Sequence, residues 1–453
     1  MQCSLGPEAS PNGNWGPLVT RKSVMRSGLA ALLVAPFTVS SLAAGRGQES
    51  GGSEAESSDL AEGRGATDEE IVLGVSAAFS GPSRGLGTEL YRGAMAYFNN
   101  VNENGGVEGR RVSLKLYDDG YQPDPCVQNT MRLMLEDKVF LLFGYVGTPT
   151  VTRVLPILKK FQDESIFLFF PFTGAQPQRE PPYGEFAFNL RASYNQETAG
   201  LVDNLVQIGR RRIAVFYQID AYGRSGWAGV RAALDKHGER LAGEATYSRG
   251  EKFTGSMRKQ VEILQGVSPD AVICIGAYAA CAAFARDAVD LGLDVPIANL
   301  SFVGSENMLK LLTEGQDDAE RYTRQLINSQ VVPSYEDTSI PAVQEYRDLM
   351  ARYDPQVPAD LVQEEYAPFP HSFGSLEGFL NAKLMGEILR RLGPNPDRAG
   401  LEEAVFSIED FDLGISERVS FGPDRRQGLQ SVYHTVVEDG RFVPLDDWGA
   451  RFG

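Results

Sequence analysis

The sequence predicts an α/β protein of two lobes, each built on a parallel sheet. Strands that are apolar along their whole length alternate with helices, which is the pattern of a sheet covered on both faces. The alternation runs through four strands and then begins again, which implies two sheets of one architecture. Beyond about Val331 too few elements remain for a third lobe, so they are expected to return and complete the first two, with several crossings between them.

The first series opens with Ile71-Val72-Leu73-Gly74-Val75, ends in the turn Ser80-Gly81-Pro82, and continues into a helix with Leu90, Ala94, Tyr97 and Val101 on one face. Asn104-Gly105-Gly106 stops that helix where a left-handed residue is wanted. Val112, Leu114 and Leu116 alternate as a strand, and Asp118-Asp119-Gly120 turns the chain into a helix from about Pro125 to Glu136. Val139 to Phe143 is a wholly apolar strand that ends in Gly144-Tyr145-Val146-Gly147-Thr148-Pro149 before another helix. Ile166 to Phe170 is a fourth strand, followed by Pro171-Phe172-Thr173-Gly174.

The second series has strands at Ile213–Phe216, Ala245–Tyr247, Ala271–Ile275 and Pro296–Leu300, with helices from about Ser225 to Lys236, Thr254 to Leu264 and Ala280 to Leu291. The tail adds helices at Val343–Tyr353, Leu376–Arg391 and Leu401–Phe406, then a hairpin at Val432–Val437 and Phe442–Leu445.

Ahead of the folded body, Arg21, Lys22 and Arg26 precede an apolar stretch from Gly28 to Ala35, then Pro36 and the small residues Ser40 to Ala44. A positive flank, a short apolar core and small residues before a cut after Ala43 make a secretory signal over residues 1–44. As a membrane anchor the run is interrupted by Pro36 and falls short of the ~20 apolar residues a span needs. Arg21-Lys22 is one step from a twin-arginine signal, and Met25 is an alternative start. From Gly45 the chain is Gly, Ser, Glu and Ala with almost no bulky apolar residue, the composition of a flexible leader over residues 45–69.

The 453 residues include 43 Lys and Arg against 60 Asp and Glu, a formal charge of −17, with the basic residues scattered among acidic ones. A polyanion is repelled by such a surface, so nucleic acid is not an expected partner. Removal of the signal leaves Cys126, Cys274 and Cys281, an odd number that leaves at least one free thiol or an intermolecular bridge. Cys274 and Cys281 are within pairing range in sequence, but Cys274 reads as a buried strand residue.

Ligands of parallel α/β sheets bind beyond the carboxyl ends of the strands, where loops converge and helix N-termini point free N–H groups outward. The segments there are Ser80-Gly81-Pro82, Gly147-Thr148-Pro149, Phe172-Thr173-Gly174, Asp220 to Gly223, Gly276-Ala277-Tyr278 and Ser301-Phe302. Hydroxyls, glycines and aromatics suit hydrogen bonding and shape selection of a small organic molecule rather than acid/base or nucleophilic work. Each has a plainer reading: Ser80-Gly81-Pro82 as a turn, Thr148 as a helix cap, Tyr222 and Tyr278 as core-edge aromatics. Recurrence at equivalent places in the α/β order favours binding. No G-x-G-x-x-G after a strand, G-x-x-x-x-G-K-[ST] or H-E-x-x-H occurs, and there are three His, so neither an enzyme, a cofactor nor a metal site is expected.

With these motifs in order, the segment from Glu70 to about Leu312 resembles the branched-chain amino-acid (Leu/Ile/Val-binding) type of periplasmic binding protein, the soluble receptor of an ABC importer. The matching stretches are VSAAFSGPSRGLGTELYRGAMAYFNNVNENGGVEGRRVSLKLYDDGYQP, FGYVGTPTVTRVLPIL, FNLRASYNQE, IAVFYQIDAYGRSGWAGVRAAL and DAVICIGAYAACAAFARDAVDLGLDVPI; SLEGFLNAKLMGEIL and VSFGPDRRQGLQSVYHTVVEDGRFVPL look like the family's closing segments. The resemblance implies two Rossmann-like lobes with parallel sheets joined by a three-crossing hinge near Leu190, Val332 and Phe421. Lobe 1 would comprise residues 70–190 and 333–421, and lobe 2 residues 191–332 and 422–453.

It further implies a monomeric, extracytoplasmic receptor that traps a small ligand by lobe closure and delivers it to an inner-membrane ABC permease. Family ligand positions fall on Leu86, on Gly147 and Thr148, which would hold a carboxylate, and on Phe172, Thr173 and Gly174. In the second lobe they fall on Tyr222, Ala277 and Ser301. Two positions depart from the amino-acid pattern. Ser301 stands where an acidic side chain commonly balances the ligand's ammonium, and Ala277 stands for a tyrosine, with Tyr278 beside it. Tyr145, Tyr194 and Ser80 are further candidates around the cleft. The ligand expected is therefore amino-acid-like, an amide or a carboxylate. A soluble sensor of amides or amino acids with the same fold is the alternative, and retention in the cytoplasm would favour it.

Overall fold

The computed structural model describes residues 65–362 and 365–453. The expected signal and most of the expected leader lie outside the described residues. Two sheets organise the chain. The first is wholly parallel, in the order β2 (Arg111–Asp118), β1 (Glu70–Ala77), β3 (Leu141–Phe143), β4 (Leu168–Phe169), β5 (Ala187–Phe188). In the second, β7 (Gly243–Tyr247), β6 (Ile213–Gln218), β8 (Ala271–Ile275), β9 (Ile297–Asn299) and β10 (Leu326–Gln330) are parallel. They repeat the order of the first sheet. The antiparallel strands β11 (Tyr433–Glu438) and β12 (Arg441–Pro444) extend that sheet beyond β10.

Both sheets carry helices, which is why β3, β8 and β9 are buried at every residue. In the first lobe α1 (Arg84–Glu103) packs on α11 (Phe373–Leu392) and α10 (Pro341–Tyr353), while α2 (Pro123–Leu135) and α3 (Thr148–Lys160) pack together on the opposite side. The α1–α11 approach depends on absent side chains: a Cβ on Gly93 would lie 1.7 Å from the Ser375 carbonyl oxygen, and one on Gly378 2.0 Å from that of Leu90. In the second lobe α4 (Tyr194–Gln207) packs on α5 (Ala221–Lys236), and α7 (Tyr278–Asp290) on α6 (Arg258–Gln265) and α8 (Ser305–Thr313). The short helices α9 (Glu320–Thr323), α12 (Leu401–Phe406) and α13 (Trp448–Phe452) complete the set.

The chain passes between the lobes three times: after β5 into α4, after β10 into α10, and between α12 and β11. The first and third passages lie side by side, because Leu429 N donates to Leu190 O at 2.8 Å and Gly428 N to Asn189 O at 2.9 Å. Cys126, Cys274 and Cys281 are free and buried, so the pairing considered for Cys274 and Cys281 is not made.

Candidate ligand-binding cleft

In each sheet the strand order reverses beside the first strand of its series, between β1 and β3 and between β6 and β8. Loops leaving neighbouring strands there diverge and open a crevice at the carboxyl edge. The two edges face each other. Tyr121, just past β2, lies with its ring centre 5.8 Å from that of Phe302, just past β9, and its hydroxyl receives a hydrogen bond from Gln218 Nε2 at 3.3 Å. Gly85 N at the start of α1 donates to the Tyr278 hydroxyl at 3.2 Å, and Arg249 reaches Gln122 Oε1 at 3.2 Å.

Local structure sets each group. Gly147 has φ +102, and a Cβ there would lie 2.2 Å from Tyr121 Cε2, so only glycine turns β3 into α3 at this point. Thr148 thereby becomes the first residue of α3, with its N–H among the unpaired donors at a helix start. Its Oγ1 lies 2.6 Å from that of Thr173. Gly174 allows Tyr194 to come close, since a Cβ would sit 2.5 Å from Tyr194 Cδ1. Asp220 caps α5 by accepting from Tyr222 N at 2.9 Å, which fixes Tyr222 with its ring centre 5.1 Å from that of Tyr194.

Phe302 sits in the middle, fully buried, with ring centres 5.4 Å from Phe172 and 4.9 Å from Tyr222. Rings from both lobes therefore meet between the facing loops. Among these rings are buried polar atoms without a partner among the described residues, namely Arg191 Nε and the Tyr222 hydroxyl, while the Tyr194 hydroxyl faces those of Thr173 and Thr148. Burial raises the pKa of both tyrosines, so both hydroxyls stay protonated as donors.

Arg191 stands in the first passage between the lobes, with its guanidinium 4.9 Å from the Phe172 ring centre. Its Nη2 bonds to Ser301 Oγ and lies 3.4 Å from Glu197 Oε1, while Nη1 lies 3.4 Å from Glu377 Oε1. Burial alone would lower the arginine's pKa, but the carboxylates of Glu377 and Glu197 outweigh it and raise it. Glu377 is pushed up to about 7 by burial, against the pull of Arg191.

Glu197 also accepts from Ser301 N at 2.8 Å, from Ser301 Oγ at 3.0 Å and from Ser329 Oγ at 2.5 Å. This corrects the inference drawn from Ser301: a carboxylate does stand at that corner, supplied by α4 rather than by the loop after β9. Of the residues singled out from sequence, Leu86, Gly147, Thr148, Phe172, Thr173, Gly174, Tyr194, Tyr222, Ala277, Tyr278 and Ser301 lie on the facing edges. Leu86 reaches across the lobes, its Cδ2 being 2.8 Å from where a Cβ on Gly304 would be.

Two residues do something else. Tyr145 is displaced from the cleft: it is fully buried in the smaller apolar cluster with Leu142, Val151 and Leu168, with its hydroxyl 3.1 Å from Thr130 Oγ1. Ser80 is tied to Asp118, which accepts from both its N–H and its hydroxyl. Tyr121, Arg191, Glu197 and Glu377 were not identified from sequence, and Phe302 was named only with Ser301 as one of the strand-end segments. Only Glu197 had a local signal, the capping box Ser193…Gln196 that starts its helix.

A family model described as periplasmic binding protein matches residues 70–441. An amino acid binding protein of Pseudomonas aeruginosa is 26% identical over 185 residues, which is 40% of this chain and 48% of that protein. A Leu/Ile/Val-binding protein homolog of Brucella melitensis is 24% identical over 170 residues, 37% of this chain and 45% of the relative. The chain spans about half the length of these curated relatives. Among solved structures, a possible leucine/isoleucine/valine-binding protein from Rhodopirellula baltica superposes with a TM-score of 0.75 at 29% identity, covering 85% of this chain and 98% of that one.

Proposed function

From a chain that belongs to the periplasmic binding protein family, we propose an extracytoplasmic receptor of an ABC importer that captures a small amino-acid-like, amide or carboxylate solute by closing two lobes on it. The carrying observation is the pair of buried polar atoms on the facing edges without a partner among the described residues: Arg191 Nε and Tyr222 Oη. An unsatisfied buried polar atom costs about 1–3 kcal/mol, and a solute that supplies acceptors between the lobes recovers that cost only in the closed form. Differential affinity of this kind drives closure.

The residues in the cleft favour particular chemistry. Thr148, Thr173 and the α3 N-terminus offer donors to a carboxylate or an amide oxygen. Glu197 and Glu377 flank Arg191 and offset its charge, so an ammonium on the solute is not opposed by a bare cation. Tyrosines held protonated and paired threonine hydroxyls donate hydrogen bonds but do not abstract protons, which supports binding without turnover. Arg21, Lys22 and the apolar stretch after Arg26 support export, and the family's role supports an inner-membrane permease as partner.

Isothermal titration against a panel of L-amino acids, their amides and small carboxylic acids tests this reading. Saturable one-to-one binding of one class is expected; a panel with no binder would count against it.

A further inference from the structure

A second feature lies away from the Arg191 cluster, at the rim where the lobes meet. A cavity of about 390 Å³ opens between the start of α1 in the first lobe and, in the second, the start of α7 and one side of α8. That volume lies in the range of small-molecule sites. One wall is apolar: Phe253, Leu311 and Tyr278 from the second lobe, with Tyr366 closing the side. The Tyr278 hydroxyl is held by Gly85 N at 3.2 Å and that of Tyr366 lies 3.0 Å from Glu89 Oε1, so both rings are fixed in place.

The charge at this cavity runs against that of the molecule. In a chain of net charge −17, the lining brings together Arg84, Lys252 and Lys310 against Glu314 and Glu365. Arg84 is engaged, donating to Gly81 O at 3.0 Å and Glu365 O at 3.1 Å. Neither the exposed Lys252 nor the half-buried Lys310 makes an ion pair or a side-chain hydrogen bond among the described residues. Two ammonium groups over an apolar wall in an acidic protein form a place where an anion with an apolar body is favoured and a bare inorganic ion gains less.

We propose that this rim cavity is a second solute site, for an organic anion with an apolar body, of the short alkyl or aryl carboxylate class. Its carboxylate pairs with Lys252 and Lys310 while its body lies on Phe253, Leu311 and the Tyr278 ring. Such an occupant touches both lobes, so it stabilises the closed form without entering the Thr148–Thr173 cleft. The site stands on its own lining and does not require the cleft reading to be correct.

Hexanoate is the probe, with hexanamide as the uncharged control, titrated calorimetrically into the full chain. Saturable hexanoate binding is expected, weakened at least about tenfold in Lys252→Gln/Lys310→Gln and in the amide, since each loses both charge-assisted contacts. Thr148→Val should leave that component unchanged, which separates it from any hexanoate bound in the cleft. Both lysines are at the surface, so the double variant should fold, checked by its melting temperature. Absence of saturable binding, or binding that Thr148→Val removes and the lysine pair does not alter, overturns the proposal.

Discussion

Arg191 Nη1 and Glu377 Oε1 stand 3.4 Å apart across the first passage between the lobes, both side chains nearly inaccessible to water. Glu377 belongs to α11 of the first lobe, and the other partners of Arg191, Glu197 and Ser301, belong to the second. One guanidinium therefore ties the hinge to both carboxyl edges. Any change in the angle between lobes changes its contacts.

Replacing Arg191 by Met removes the one cation that makes an ion pair with both buried carboxyls among the described residues, leaving only Arg179 to act on them without an ion pair. A loss of about 3–5 kcal/mol in unfolding free energy is expected from breaking a buried pair on one side. Adding Glu377→Gln to Arg191→Met should recover part of it, and chemical denaturation of the two variants reads the difference. Equal stabilities would show that the pair is not coupled.

Thr148→Val keeps the shape of the side chain and removes its hydroxyl from the 2.6 Å contact with Thr173. Affinity for the cleft solute should fall at least about tenfold, and unfolding free energy by about 1–3 kcal/mol because the buried Thr173 hydroxyl loses a partner. Unchanged affinity would remove Thr148 from the proposed clamp.

Phe302→Ala removes the ring that touches Tyr121 and Phe172 in one lobe and Tyr222 in the other. A stability loss of about 3–5 kcal/mol is expected for deleting a buried Phe. Because the contacts cross the lobes, small-angle scattering should also show a larger radius of gyration. A compact variant would mean that Phe302 packs within one lobe only.

Glu306 of α8 accepts a hydrogen bond from Phe373 N, the first residue of α11, at 3.0 Å, and burial pushes its carboxyl up to about 7. Glu89 nearby raises it further, while the Phe373 N–H and the Tyr335 hydroxyl lower it. A carboxyl whose folded pKa is raised holds its proton better folded than unfolded. Its stabilising contribution is complete below its ordinary value of 4.5 and is lost as pH rises through about 7. Melting temperature should therefore fall between pH 5 and pH 8 less steeply in Glu306→Gln than in the parent, though not flatly, because Asp119 and Glu377 are shifted the same way. A steeper fall in the variant would contradict the assignment.

The alternation of wholly apolar strands made both sheets legible, because β3 and β8 are buried at every position and leave a local mark. The two-residue β5 left none, since its pairing is set by β4 and not by its own composition. Within the cleft, hydroxyl and glycine positions after strand ends could be read from order along the chain. Tyr145 could not be sorted from its neighbours, because consecutive residues leave β3 on opposite sides: Val146 enters the main core and Tyr145 the smaller one. The meeting of Arg191 with Ser301 joins positions 110 residues apart, and nothing in either local sequence marks it.

The central claim is that Arg191, Thr148, Tyr194 and Tyr222 hold a small organic solute between two lobes. Native mass spectrometry of gently purified protein tests it most directly. One discrete added mass is predicted on the parent chain, reduced or lost on Thr148→Val and released by unfolding. The bare chain mass in every preparation, unaltered after incubation with amino acids, amides and carboxylates, would contradict it.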